Sequence, residues 1–219
     1  MPAITLADRS VLALRLTFPV SGAWTATLEL DTDEAPSGAV ELSDGTNTYQ
    51  GCIVRAGVVS GICRADVIGG AGGLLQDVPA RSFQDSSARA ILTDLLGAVG
   101  ENLDPASTAA VLGAQLPYWT RAGVRASTAL SSLCDALGAR WRVSPSGQIW
   151  VGTETWPAAP ESALPFELDR DDAAGTVFVA PDDLGLVPGI VLEGRRVGRV
   201  EYSLERDGGL RADYWVETS

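Results

Sequence analysis

The segment WTATLEL, residues 24–30, sets the fold class, because its large apolar residues alternate with small or polar ones. A period of two is typical of a β-strand with one buried face. Upstream, the run VLALRLTF at residues 11–18 predicts another strand, which ends at Pro19 and a Ser21-Gly22 turn. The chain therefore begins with two successive strands.

Further strand signals continue to residue 84. Asp44-Gly45 marks a hairpin, and Gly61 indicates a bulge or a close contact inside an apolar run. The other predicted strands of this block are residues 40–42, 49–54, 58–68 and 78–83. Short strands separated by turn signals are typical of a barrel or a sandwich.

After residue 84 the apolar period becomes helical. Asp85-Ser86 is a predicted N-cap, and Gly100 ends that helix. Its apolar residues recur at helical spacing: Ala88, Ile91, Leu92, Leu95, Leu96 and Val99. Asp104-Pro105 opens a second, weaker helix to about Leu112.

A third helix and a hairpin complete the middle block. Ser127 is the predicted cap of this helix, and Gly138 ends it. Residues 140–143 and 148–151 then flank the turn sequence SPSG, which predicts a β-hairpin.

The last block returns to β-structure. Three prolines in residues 153–165 predict a linker or a loop along a sheet edge. The predicted strands are residues 176–179, 190–193, 196–204 and 210–217. The order along the chain is thus β, then helices with a hairpin, then β again.

Composition excludes several classes of chemistry. The chain of 219 residues has no His and no Lys, so its 16 basic residues are all Arg. The absence of His excludes catalytic triads that use it as the base. The absence of Lys excludes Schiff bases and the Walker A phosphate-binding loop. A net charge of −12 counts against nucleic-acid binding, because phosphates require cations.

We expect a soluble chain, since no apolar run approaches the roughly 20 residues of a membrane span and no signal peptide precedes the strands.

The cysteines predict neither a disulfide framework nor a metal site. Cys52, Cys63 and Cys134 are odd in number and have no CxxC spacing. Each lies in an apolar strand or on the apolar side of a helix, so we expect buried, reduced thiols.

Two motifs resemble ligand sites but fail in detail. The loop Gly69-Gly70-Ala71-Gly72-Gly73 lacks the Rossmann spacing, because Leu75 stands where Gly or Ala is needed, so a flexible or tightly turning loop is predicted. An acidic stretch comprises Asp169, Asp171, Asp172, Asp182 and Asp183. An EF-hand would require glycine and glutamate at Ala174 and Ala180, so a solvated face is predicted, with a stabilising Ca²⁺ as the alternative.

The chain has six tryptophans, which is many for its length. Trp24, Trp141, Trp150 and Trp215 lie in predicted strands, where large aromatics fill cores or subunit interfaces. An exposed row of them would instead indicate a sugar platform. The sequence predicts no catalytic, cofactor-binding or metal-binding residues.

Residues 83–152 resemble a known family. The following segments carry the resemblance, in this order: AILTDLL at 90–96, LPYW at 116–119, GVRASTAL at 123–130, LCDALG at 133–138, WRV at 141–143 and SGQI at 146–149. This pattern is similar to the middle of baseplate hub proteins of contractile phage tails, the late-control or tail-hub family. The segment PGIVLEGRRV at 188–197 resembles that family's closing barrel segment.

The resemblance implies an α+β, mainly β fold with two barrel-like, tail-tube-like modules and an inserted helical segment with a hairpin. The implied domains are an N-terminal module at 1–84, the insert at 85–152, and a linker with the strands that complete the second module at 153–219. It also implies a homotrimer in the virion tail, made in the bacterial cytoplasm and forming a pseudo-six-fold ring. The implied partners are the tail tube protein, the central spike, other baseplate proteins and the tape measure protein.

The chain is short for a hub, so a distal tail protein or another tail-tip ring component is a close alternative. Two alternatives of other classes also stay open. A carbohydrate-binding β-module would require exposed tryptophans, and a glycan hydrolase of the tail would require paired carboxylates in a cleft.

Overall fold

The computed structural model describes residues 3–153, 166–171, 173–192, 195–206 and 208–217. In this part of the chain the structure is mainly β with three short α-helices, which confirms the predicted fold class. No helix among these residues is long and apolar enough to cross a membrane.

Six antiparallel strands close into a barrel at the N-terminal end. The strands are β1 (Thr5–Leu6), β2 (Arg9–Phe18), β3 (Thr25–Leu30), β4 (Gly38–Ser43), β5 (Thr48–Val59) and β6 (Ile62–Gly69). They pair in the order β1-β4-β5-β6-β3-β2, and β1 pairs back to β2. The predicted alternation in β3 is correct, because Ala26, Leu28 and Leu30 are buried while Thr25 and Thr27 are exposed.

One barrel wall is built around the indole of Trp24, which is 1% exposed. Gly51 and Gly69 are cross-strand partners in β5 and β6, and the ring lies against both. A Cβ atom at Gly69 would lie 2.4 Å from the Trp24 Nε1 atom, and one at Gly51 would lie 2.7 Å from its Cη2 atom. These two positions therefore require glycine because of close packing and not because of backbone torsion.

The middle of the chain combines three helices with three two-stranded ribbons. Its elements are a 3-10 helix (Gly73–Leu75), β7 (Asp77–Val78), β8 (Arg81–Ser87), α1 (Ala88–Gly97), α2 (Ala109–Gly113), β9 (Gln115–Arg121), β10 (Val124–Arg125), α3 (Ala126–Ala136), β11 (Arg140–Val143) and β12 (Ile149–Gly152). The ribbons are β7–β10, β8–β9 and the predicted hairpin β11–β12. Helices α1 and α3 bury their apolar sides, as their spacing predicts.

The structure corrects the predicted helix starts. The side chain of Ser87, not Asp85 or Ser86, caps α1 by accepting from the Ala90 N–H at 3.2 Å. Helix α3 begins one residue before Ser127, so Ser127 is not its cap. The Asp104 carboxylate accepts from the Ala106 N–H in a turn, and α2 begins only at Ala109.

Two strand predictions also change. Residues 78–83 do not form one strand, because β7 and β8 pair with β10 and β9 and not with the barrel. Gly61 is not a bulge but forms the β5–β6 turn together with Ser60, with φ angles of 77° and 54°. The bulge lies earlier, between Ile53 and Arg55.

The C-terminal strands extend the barrel sheet. They are β13 (Phe166–Asp171), β14 (Thr176–Ala180), β15 (Val191–Leu192), β16 (Arg195–Leu204) and β17 (Leu210–Glu217). Strand β16 pairs with the second half of β2, and the sheet continues through β17 and β14 to β13. Most of the predicted linker lies outside the described residues, and the domain boundaries stay predictions.

Buried hydrogen bonds fasten the β14–β15 loop to the barrel and to strand β16. The Tyr49 hydroxyl donates to the Leu184 carbonyl at 2.7 Å, and the Asp44 carboxylate accepts from the Leu184 N–H at 2.5 Å. The Tyr202 hydroxyl accepts from the Leu186 N–H at 2.7 Å and donates to the same residue's carbonyl at 2.8 Å. Burial, and secondarily the nearby Tyr49, raises the pKa of Tyr202, so this hydroxyl stays protonated.

Candidate assembly surfaces

The glycine-rich loop holds an internal carboxylate. Gly70 and Gly72 have φ angles of 89° and 85°, and the loop turns tightly as predicted. The N–H groups of Ala71 and Gly73 donate to the Glu101 carboxylate at 3.1 and 2.8 Å. Glu101 is 4% exposed, so the anion cradle of this loop is filled by the chain itself.

The described part of the acidic stretch serves local turns. Asp171 accepts from the N–H groups of Ala173 and Ala174, and Asp183 accepts from that of Gly185. Asp172 lies outside the described residues. Across the residues that are described, no three metal-ligating side chains cluster together. The geometry gives the Ca²⁺ alternative no support.

The tryptophans form a core and not a row. Trp24, Trp119 and Trp141 are buried. Trp150 and Trp215 are half-buried, with arginine guanidinium carbons 4.5 and 5.0 Å from their ring centroids. Trp156 lies outside the described residues. The five described indoles therefore do not present a shared exposed platform.

The cysteines are buried as predicted at two of their three positions. All three are within the described chain and are free thiols. Cys63 and Cys134 are buried, while Cys52 is half-buried in β5. Burial, with a smaller effect from the Asp135 charge, raises the pKa of Cys134 to about 12.

A cavity of about 340 Å³ lies where the barrel, the β11–β12 hairpin and the β14–β15 loop meet. Its wall includes Trp24 and Tyr49 from the barrel, Arg142 and Trp150 from the hairpin, and Pro188 from the loop. Such a lining suits an apolar or aromatic group better than a phosphate.

The outer face of the long sheet carries paired charges. Glu29 accepts hydrogen bonds from Arg206 and Arg64, which lower its pKa. Two further ion pairs on this face are Arg55–Asp66 and Arg199–Glu201. These four guanidinium groups already have carboxylate partners, so they are less available to the phosphates of a nucleic acid.

Exposed large apolar side chains concentrate at one place. In the described chain they are Val54, Val58, Val59, Leu75 and Tyr118. The three valines share the second half of β5, and Val59 is 70% exposed. Tyr118 stands alone on the β8–β9 ribbon, opposite Gln84.

Comparison with solved structures finds similar folds. A tail protein from Neisseria meningitidis matches 99% of this chain over 96% of its own, with a TM-score of 0.70 and 11% identity. A tail protein of prophage MuSo2 from Shewanella oneidensis matches 97% of each chain, with a TM-score of 0.70 and 12% identity. The fold is that of phage tail proteins.

A third structure widens the comparison. The Escherichia coli c3393 protein matches 99% of this chain over 77% of its own. That protein is a component of the type VI secretion system and is described as similar in structure to the T4 bacteriophage tail proteins gp27 and gp5. Its TM-score is 0.66 at 12% identity. No family model matches the sequence, and no curated protein does so either. At such identities the tail-protein likeness is one of fold.

The structure also places surfaces that sequence reasoning missed. The sequence predicts two strands, residues 49–54 and 58–68, where the structure has the valine-rich end of β5 followed by a turn at Ser60 and Gly61. Strand β9, which carries Tyr118, is not among the strands that the sequence predicts, and Pro117 interrupts this segment.

Proposed function

We propose that this chain is a structural subunit of a phage tail, the hub of a baseplate or tail tip that joins the tail tube to the central spike. The observation that supports it is the fold likeness, which extends over 99% of the chain for the Neisseria tail protein and for the type VI secretion component. A match of this extent accounts for the barrel, the insert and the C-terminal strands together.

The chemistry of the described residues suits a structural role. The loop that could cradle a phosphate is filled by Glu101. Four arginines of the outer sheet face, Arg55, Arg64, Arg199 and Arg206, are paired with carboxylates. In this proposal that face lines the channel, where paired charges and a net charge of −12 would let DNA pass without being held.

The proposal assigns parts to the three segments. Residues 1–84 and 153–219 supply two tail-tube-like modules, and three copies of the chain make a ring of pseudo-six-fold symmetry. Residues 85–152 decorate the ring. The partners are the tail tube protein, the central spike, the other baseplate proteins and the tape measure protein, and the site of action is the virion tail.

Absolute mass by light scattering tests the proposal. The chain is measured alone, with the tail tube protein, and with the central spike protein of the same tail. We expect a trimer, or a ring that forms when one partner is added. Six-fold rings would assign the chain to the distal tail proteins instead. A monomer that ignores both partners would overturn the assembly role, and glycan binding at the Trp150 cavity would then be measured.

A further inference from the structure

The cavity between the barrel, the β11–β12 hairpin and the β14–β15 loop has an aromatic wall that is held in place. Phe18, Trp24 and Tyr49 line it, and none of them is more than 6% exposed. The ring centroid of Tyr49 lies 4.9 Å from that of Phe18 and 6.1 Å from that of Trp24. Because the Tyr49 hydroxyl donates to the Leu184 carbonyl, its ring is fixed. The barrel thus offers three packed ring surfaces to the cavity.

The hairpin supplies a second wall, which is also fixed. The Trp150 Nε1–H donates to the Ala106 carbonyl at 3.2 Å, and the Arg142 guanidinium carbon lies 4.5 Å from the Trp150 ring centroid. The Gln50 N–H of β5 donates to the Pro145 carbonyl at 2.8 Å, which fastens the hairpin turn to the barrel. A cavity with such walls is preformed, as ligand sites in proteins usually are.

The cavity reaches the surface and is small. Ala106 and Pro145 line it and are exposed, so a ligand can enter beside them. Its volume of about 340 Å³ lies near the lower end of the roughly 300–1,000 Å³ that is usual for ligand pockets. That size suits a group of one or two rings.

Asp104 gives the cavity a hydrogen-bond acceptor. This residue lines the cavity and is 8% exposed. Its Oδ1 atom accepts from the Ala106 N–H at 2.8 Å, whereas no residue that the structure describes donates to Oδ2. A carboxylate oxygen that is largely removed from water is unfavourable without a donor. A ligand with an N–H or O–H group would supply that donor.

The other lining residues narrow the class of ligand. A cation in the cavity would meet the Arg142 guanidinium and an anion would meet the Asp104 carboxylate, so the lining favours a neutral group. Most of the remaining residues are aromatic or aliphatic, which gives the many hydroxyls of a sugar few partners. An aromatic ring gains instead from edge and offset contacts with other rings.

We propose that this cavity binds a neutral aromatic group that carries an N–H or O–H donor, such as an indole or a phenol. The ring packs against Phe18, Trp24 and Tyr49, and its donor is hydrogen-bonded to Oδ2 of Asp104. One chain supplies all the walls, so the site goes beyond the proposed hub role and does not depend on ring assembly. A free small molecule and an aromatic side chain of another protein share this chemistry.

Fluorine NMR of two matched probes tests the role of the donor. Fluoroindole and N-methylfluoroindole, which lacks the N–H, are each titrated with the full chain. We expect fluoroindole to bind about tenfold or more tightly than the methylated probe, because only fluoroindole can donate to the carboxylate. Equal binding of the two probes, or no binding of fluoroindole, would overturn the proposal.

Asp104→Asn tests the acceptor. The variant keeps Oδ1 for the Ala106 N–H and replaces Oδ2 with an NH₂ group. We expect fluoroindole to bind about tenfold more weakly and N-methylfluoroindole to bind as it does to the wild type. Asp135→Asn, at an exposed position of α3, is the matched control and should leave both affinities unchanged. Thermal unfolding checks that both variants fold. Wild-type affinity of a folded Asp104→Asn protein for fluoroindole would contradict the proposal, and if that variant does not fold, the two probes on the wild type decide.

Ala106→Trp tests the location. It places an indole at the exposed edge of the cavity, so both probes should bind about tenfold or more weakly. Unchanged binding would put the probes elsewhere and overturn the proposal, as would binding of N-acetylglucosamine in place of fluoroindole.

N-acetylfluorotryptophanamide distinguishes the two sources of the aromatic group. Binding as tight as that of fluoroindole would support a side chain of another protein, and binding of fluoroindole alone would support a free small molecule. Either result supports the site. The mass measurement that tests the hub role is independent of all these titrations, so each proposal can fail without the other.

Discussion

The N-terminal barrel and the C-terminal strands belong to one sheet but are stabilised differently. In the barrel the sheet closes on itself around fully buried leucines and Trp24. The C-terminal strands join it through five residue pairs between β2 and β16 and through the β14–β15 loop, which is hydrogen-bonded to Tyr49 and Asp44 of the barrel and to Tyr202 of β16. The barrel should therefore respond most to changes of volume, and the junction to loss of single polar groups.

Gly69→Ala should have the largest effect, because it adds an atom where the barrel has no room. The new Cβ would lie 2.4 Å from the Trp24 ring, whose surroundings are close-packed. We expect the free energy of unfolding in urea to fall by about 3 kcal/mol. Gly97→Ala is the control, since its Cβ meets nothing within 4 Å and should not destabilise. Equal effects of both would show that the Trp24 packing is not tight.

Tyr202→Phe tests the junction and should rank second. The substitution removes one hydroxyl and leaves both the N–H and the carbonyl of Leu186 buried without that partner. We expect a loss of about 2 kcal/mol in the same urea experiment. Tyr118→Phe, which removes an exposed hydroxyl, should leave the urea midpoint unchanged. A Tyr202→Phe protein as stable as the wild type would mean that this hydroxyl does not stabilise the loop, which the Tyr49 and Asp44 hydrogen bonds would then hold.

Local patterns explain which elements the sequence predicts correctly. The alternation in β3, the apolar spacing of α1 and the SPSG turn of β11–β12 each depend on neighbours in sequence. The β8–β9 pairing joins Arg81 to Arg121, which are forty residues apart, and no local sequence pattern predicts this pairing. Strand β13 was missed for a similar reason, since its acidic residues predict a solvated loop until β14 pairs with it.

The candidate sites show the same limit. The glycines of residues 69–73 predict a tight turn. They do not predict which group fills the loop, because Glu101 lies 28 residues after Gly73. Likewise the open edge of β5 exists only because β4 is shorter, which is a property of the pairing and not of either strand's composition.

Asp44→Asn tests the charged contact of the junction and should have a smaller effect. Burial raises the pKa of Asp44, but hydrogen bonds from Asn47, Leu184 and Thr46 outweigh it and hold the pKa below its usual value. Because the folded-state pKa is the lower one, the stabilisation is complete above the unfolded pKa of about 3.9 and is lost as the pH falls through the folded value. We expect a loss of about 1.5 kcal/mol at pH 7. Below pH 4 the stability of the variant should fall less steeply than that of the wild type, and parallel curves would contradict this assignment.

Thiol reactivity gives the smallest effect and shows whether the two regions open separately. At pH 8 Cys52, which is half-buried, should react first with a disulfide reagent, although burial raises its pKa. Cys63, 0% exposed inside the barrel, should react only when the barrel opens. Cys52→Ser should remove the early phase and serve as the control.

The rate at Cys63 should rise in Gly69→Ala, which loosens the barrel, and stay near the wild-type rate in Tyr202→Phe, which loosens the junction. If both substitutions raise it in proportion to their loss of stability, the barrel and the C-terminal strands unfold as one cooperative unit, and the difference between them is one of packing alone.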